Sequence, residues 1–104
     1  MAKFVESYTY EGLQGKSWSS VKERVQAFKA ALNEAGAKNV VILEGGLGDD
    51  MGTITMQATF ESAAEWGAWV DTMANNKVWD AKMDEWQKDP RVMPKRAASY
   101  LVIE

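Results

Sequence analysis

The segment NVVILEGGLGDDMGTITMQATFESAAEW, Asn39 to Trp66, sets two strand-like runs back to back with no helix between them. TITMQATF, Thr53 to Phe60, alternates: Ile54, Met56, Ala58 and Phe60 point one way, Thr53, Thr55, Gln57 and Thr59 the other. Side chains along a strand repeat every two residues, so this run is a strand with one apolar face. NVVILE, Asn39 to Glu44, is shorter and apolar at both parities, the pattern of a strand covered on both sides. The link GGLGDDMG is too rich in glycine to continue either run and reads as the tip of an antiparallel hairpin. Ser62-Ala-Ala-Glu65 then fits a capping box, in which serine and glutamate side chains satisfy backbone N–H groups that a helix start leaves free. The hairpin feeds a helix.

Working outward, the apolar residues Trp18, Val21, Val25, Phe28, Leu32 and Ala35 fall in alternating steps of three and four, one stripe of an α-helix. Ser17, or Ser20 with Glu23, caps its start, and Gly36 stops it. Before it, KFVESYTY, Lys3 to Tyr10, alternates with Phe4, Glu6, Tyr8 and Tyr10 on one face. After the hairpin, the helix from Ser62 runs to about Ala74 and breaks at Asn75-Asn76. A further helical piece, about Val78 to Lys88, ends at Asp89-Pro90, because a residue before proline avoids the helical region. RAASYLVIE, following Pro94-Lys95, is the last strand. The order is β-α-β-β-α-β. Right-handed crossovers put both helical segments on one face of a four-stranded antiparallel sheet, which is the ferredoxin-like α+β plan. At 104 residues the chain is expected to form one domain over 1–104.

That plan leaves the other sheet face bare, although Asn39–Glu44 and Ala97–Ile103 are apolar at both parities. The simplest second layer is a twin copy, since two-fold homodimers are the commonest assemblies. A homodimer is expected.

Composition narrows the function. There is no cysteine and no histidine, so disulfides, thiolate chemistry, the usual zinc and haem ligands and the commonest neutral-pH base are absent. No metal and no cofactor is expected. Residues 1–39 carry six Lys/Arg and four Asp/Glu, whereas residues 40–104 carry six and eleven. That distribution offers no basic stripe for phosphates and argues against nucleic acid. The start, MAKFVESYTY, lacks an apolar leader core, and no run approaches membrane-spanning length. A cytoplasmic protein without membrane partners is expected.

The aromatic load is concentrated. Trp66, Trp69, Trp79 and Trp86 lie within 22 residues, Glu65 to Trp86. A stripe at helical spacing can be plain core. Indoles are also large and carry an N–H that wants a partner, so several above one sheet can line a flat cleft for an aromatic or hydrophobic molecule. Trp66, Trp69, Trp79, Phe28 and Met56 are the candidate walls, and Arg96 a candidate anion contact at the mouth, with a simple pairing to Asp89 or the acidic segment as its plainer reading. Glu6, alone among Phe4, Tyr8 and Tyr10 on its strand face, is the candidate proton acceptor or donor, with Tyr8 supplying a hydroxyl. Its plainer reading is a carboxylate exposed at the rim or paired with a lysine.

The stretch FESAAEWGAWVDTMANNKVWDAKMDEW, Phe60 to Trp86, resembles the strand, capped helix, break and aromatic second helix of the dimeric α+β barrel superfamily. That group includes antibiotic-biosynthesis-monooxygenase-like, EthD-like and stress-responsive domains. The resemblance covers nearly the whole chain and implies two sheets facing across a dimer, with ligand between sheet and helices. Members that depend on histidine are no guide to the chemistry here. The cofactor-free oxygenase branch implies tryptophan, asparagine, tyrosine and arginine around an aromatic substrate; Trp66, Asn75, Tyr8 and Arg96 are of those types. GLQGKSW, Gly12 to Trp18, is similar in outline to the loop of acylphosphatases. Ser19 stands where that family needs an arginine, so the anion site is incomplete. The sequence is compatible both with a cofactor-free monooxygenase-like or proton-transfer enzyme and with a non-catalytic dimeric ligand-binding or structural domain with a packed tryptophan core.

Overall fold

The computed structural model describes residues 2–103, so Met1 and Glu104, which the sequence reading places in the domain and the last strand, lie outside them. Strands β1 (Phe4–Gly12), β2 (Val40–Glu44), β3 (Thr53–Phe60) and β4 (Val92–Leu101) alternate with helices α1 (Trp18–Glu34), α2 (Ala63–Ala74) and α3 (Lys77–Gln87). Every pairing is antiparallel and the sheet order is β2-β3-β1-β4. The expected β-α-β-β-α-β plan is therefore present, with α1 leading into the edge strand β2 and α2–α3 into the edge strand β4.

Register decides which face each residue occupies. Phe4, Glu6, Tyr8 and Tyr10 stand opposite Phe60, Ala58, Met56 and Ile54, so the aromatic face of β1 and the apolar face of β3 are one surface. The α1 stripe covers part of it: Val21, Val25, Phe28 and Leu32 are buried against Ile54, Met56, Ala58 and Phe60. Neither α2 nor α3 contributes a fully buried residue. Their tryptophans are half-buried, packed against the edge of the core instead of inside it. One helix seals its part of the sheet, and the other two stand off theirs.

The caps explain the boundaries. The Ser17 side chain accepts from the Ser20 N–H at 3.1 Å, so Ser17 opens α1 and Ser20 is its first-turn partner. Ser62 Oγ accepts from the Glu65 N–H, while Glu65 Oε2 reaches back to the Glu61 N–H. The Asn75-Asn76 break is a second start: Asn76 Oδ1 accepts from the Trp79 N–H at 2.9 Å and launches α3. Gly36, at φ +111°, supplies the left-handed step beyond α1.

The last strand differs from expectation. β4 begins at Val92 and runs through Pro94 instead of starting after it. Proline lacks an N–H and is tolerated on an edge strand; β4 pairs with β1 alone, and the register shifts opposite Thr9 and Tyr10. In the hairpin tip a single 3-10 turn, Gly48–Asp50, folds back so closely that a Cβ on Gly45 would lie 1.7 Å from the Asp50 carbonyl oxygen. Only glycine fits there.

The face away from the helices is apolar at its edges and polar along its middle. Val41 and Leu43 of β2 are 47% and 48% exposed and Tyr100 of β4 is 53% exposed. Between them Thr9 and Thr55 share a hydroxyl hydrogen bond at 2.9 Å. Leu101, by contrast, pairs with Phe4 and belongs to the helix-side face, where it is 63% exposed. Among the described residues no helix is long and apolar enough to cross a membrane.

Candidate functional site

Because α2 and α3 stand off the sheet, a cavity of about 480 Å³ opens beneath them. Its floor is Glu6, Tyr8 and Met56 and its roof Trp66, Trp69 and Trp79, with Val70 and Met73 beside them. The strand period of two puts Glu6 and Tyr8 on this face. The helical period places Trp66, Val70 and Met73 above them. A space of this size and lining is typical of small-molecule sites.

One carboxylate organises the polar part. Glu6 Oε2 accepts from the Tyr8 hydroxyl at 2.6 Å, and Glu6 Oε1 accepts from the Trp66 indole N–H at 2.5 Å. These donors offset part of what the carboxylate loses on leaving bulk water. Glu6 is thus tied to an indole above and a phenol beside it, and among the described residues no lysine pairs with it. Burial, reinforced by the Glu6 hydrogen bond and charge, raises the Tyr8 hydroxyl well above the ordinary phenol range, and burial alone pushes Tyr10 to about 12. Tyr8 is a held hydrogen-bond donor, not a source of phenolate. A carboxylate has about four lone-pair sites, so Glu6 keeps capacity to accept from a guest O–H or N–H.

Aromatic contacts fix the walls. Phe4 stacks on Trp66 with centroids 4.7 Å apart, and Phe60 lies 5.9 Å from Trp69. Trp66 and Trp69 are each braced by a phenyl ring of the sheet.

Six of the eight singled-out residues (Glu6, Tyr8, Met56, Trp66, Trp69 and Trp79) line this one cavity. Phe28 lines a neighbouring cavity of about 320 Å³, reached past Trp79 and Tyr10. Arg96 is not brought to either. It pairs across the sheet with Thr9, on the face away from the helices, and its guanidinium binds Asp50 of the hairpin tip at 2.5 Å. Asn75 ends α2 and donates from its side chain to the Asp71 carbonyl. Sequence reasoning passed over Arg24, which is 6% exposed. The signal was there: Arg24 falls three residues after Val21 and four before Phe28, on the buried side of α1. Among the described residues no group of three or more Asp, Glu, His or Cys is placed to hold a metal ion.

No protein-family model matches the sequence, and neither does any curated protein. Solved structures do. A NIPSNAP family protein from Agrobacterium tumefaciens has a TM-score of 0.65 at 12% identity, over 98% of this chain and 85% of that one. An uncharacterized NIPSNAP-like domain protein from Burkholderia xenovorans has a TM-score of 0.63 at 12% identity, over 98% of this chain and 84% of that one. A dimeric ferredoxin-like protein from an uncultured marine organism has a TM-score of 0.56 at 13% identity, over 100% and 98%. The fold is ferredoxin-like. At such identities the likeness concerns the fold alone, and chemistry has to be argued from the site.

Proposed function

We propose that this chain is a cytoplasmic homodimer that binds a hydrophobic or aromatic small molecule between its sheet and the α2–α3 layer, with Glu6 as the polar anchor. The observation that carries the reading is a single carboxylate, holding Tyr8 and Trp66, on the floor of a cavity of about 480 Å³ whose other walls are mainly apolar. A tryptophan core would have its indoles buried; here all are half-buried. The guest that suits the site is flat and apolar with one O–H or N–H for Glu6. The resemblance to the dimeric α+β barrel superfamily supports the dimer, as do the half-exposed Val41, Leu43 and Tyr100 on the bare sheet face.

The same carboxylate supports a second reading, cofactor-free proton transfer or monooxygenase-like chemistry, in which Glu6 accepts a proton from an acidic O–H or C–H of the guest and Tyr8 holds the carboxylate in place. Binding is common to both readings, so it is the property to test first. Tryptophan emission titrated with 2-naphthol should change saturably, and Glu6→Gln should weaken 2-naphthol by roughly tenfold while leaving naphthalene unchanged. No saturable change with either compound would leave only a dimer with a packed aromatic layer.

A further inference from the structure

We infer that the smaller neighbouring cavity is a second binding site, one for a compact aromatic carboxylate. It lies at the far end of the sheet, between α1, α3 and the start of β4, and holds about 320 Å³. Phe28, Trp79 and Trp86 wall it, with Phe28 and Trp86 edge to face at 4.8 Å and Trp79 against Trp86 at 5.8 Å. Among the described residues, the ionic side chains that line it are Arg24 and Arg91, with no carboxylate. The large cavity has the opposite character, with Glu6 as its ionic group. Two adjoining cavities, sharing Trp79 and Tyr10, therefore offer opposite charges to a guest.

Arg24 is the unusual element. Its side chain is 7% exposed, and a guanidinium is seldom taken so far from water without full pairing. Among the described residues it donates to the Trp86 carbonyl at 3.2 Å and reaches Asp89 only at 3.5 Å. Asp89 is shared: Arg91 holds it at 2.9 Å and Lys16 at 3.4 Å. Glu23 pairs with Arg91 at 3.5 Å, and Glu23 and Glu85 are close enough to favour the charged Arg24, but all three acids stand outside the cavity wall. A guanidinium carries five N–H donors in a planar fork, and the two bonds made leave others for a ligand. The bond to Trp86 also anchors the end of α3, and that structural task uses one of the five. A carboxylate is the planar group that a guanidinium fork matches. Tyr10, whose hydroxyl stays protonated to about 12, adds a neutral donor. The three aromatic walls suit a flat ring.

Calorimetric titration of the full chain with 1-naphthoate, against the neutral isostere 1-acetylnaphthalene, which has no O–H or N–H to offer Glu6, tests this. Naphthoate should bind more tightly than the ketone, and the difference should shrink at high salt. Arg91→Gln should weaken naphthoate by roughly tenfold and leave the ketone unchanged. Arg24→Gln should do the same if the variant keeps the wild-type circular dichroism; because Arg24 also anchors α3, Arg91→Gln decides the matter if it does not. Glu6→Gln separates the two cavities and should leave naphthoate affinity unaltered. Equal affinity for acid and ketone, an Arg91→Gln variant that binds naphthoate as well as wild type, or a response to Glu6→Gln in place of Arg91→Gln would each overturn the assignment.

Discussion

At the scale of single residues, the tyrosines on β1 give the helix-side face a measurable signature. Burial holds the Tyr10 hydroxyl protonated to about 12 instead of its ordinary 10.0, and Tyr8 is raised further, by burial and by its bond to Glu6. The protonated phenols therefore contribute stability that is fully present below pH 10.0. It is lost as the unfolded chain ionises and the folded chain does not, between 10.0 and about 12 for Tyr10. The urea midpoint should fall over that window, and Tyr10→Phe should flatten the fall. Phenolate absorbance should place Tyr10 ionisation near 12 in the folded protein; ionisation of Tyr8 and Tyr10 together near 10.0 would mean that this face is wet. That Glu6 shares a face with Phe4, Tyr8 and Tyr10 was legible from the parity of KFVESYTY, and the apolar face of β3 pointed that face toward the helices. Its engagement by both Tyr8 and Trp66 was not, because the second partner comes from an element sixty residues away in sequence.

At the scale of elements, what could be read depended on whether the signal was local. The α1 stripe, the alternation of β3 and the serine caps are short-range patterns, and each appears where its residues place it. The start of β4 was misread because Pro94 looks like a stop when its neighbours are unknown, whereas on an edge strand it is harmless. Arg96 was assigned to the cleft for a related reason. In RAASYLVIE either parity could face the helices, and only the pairing of Thr9 with Arg96 settles it, sending Arg96 to the opposite face. Arg24 was missed because an apolar stripe directs attention away from the one cation inside it. The Asn75-Asn76 break yields a prediction at this scale. Asn76 caps α3 through Trp79, so Asn76→Ala should cost about 1 kcal/mol in urea denaturation. It should also loosen Trp79, which borders both cavities, and red-shift tryptophan emission. An unchanged midpoint would show that α3 is held by its packing alone.

At the scale of the whole molecule, the sheet carries its helices on one face and leaves the other bare. For the bare face we expect a two-fold partner, so sedimentation equilibrium should return twice the 11.6 kDa of the chain. Leu43, 48% exposed at one edge of that face, would meet the partner. Leu43→Glu should therefore shift the particle toward the monomer with its circular dichroism preserved; a wild-type monomer would remove the dimer. The helix side carries the central claim, that α2 and α3 stand off the sheet to leave room for a guest. Nitrogen-edited NMR of the indole N–H groups during titration with 2-naphthol tests it most directly, because Trp66 reports its bond to Glu6 and Trp18, bonded to Glu44, serves as an internal control. We expect saturable shifts at Trp66, Trp69 and Trp79 with Trp18 unmoved. Indole signals that stay fixed throughout, and resist exchange with solvent as those of a sealed core do, would contradict it.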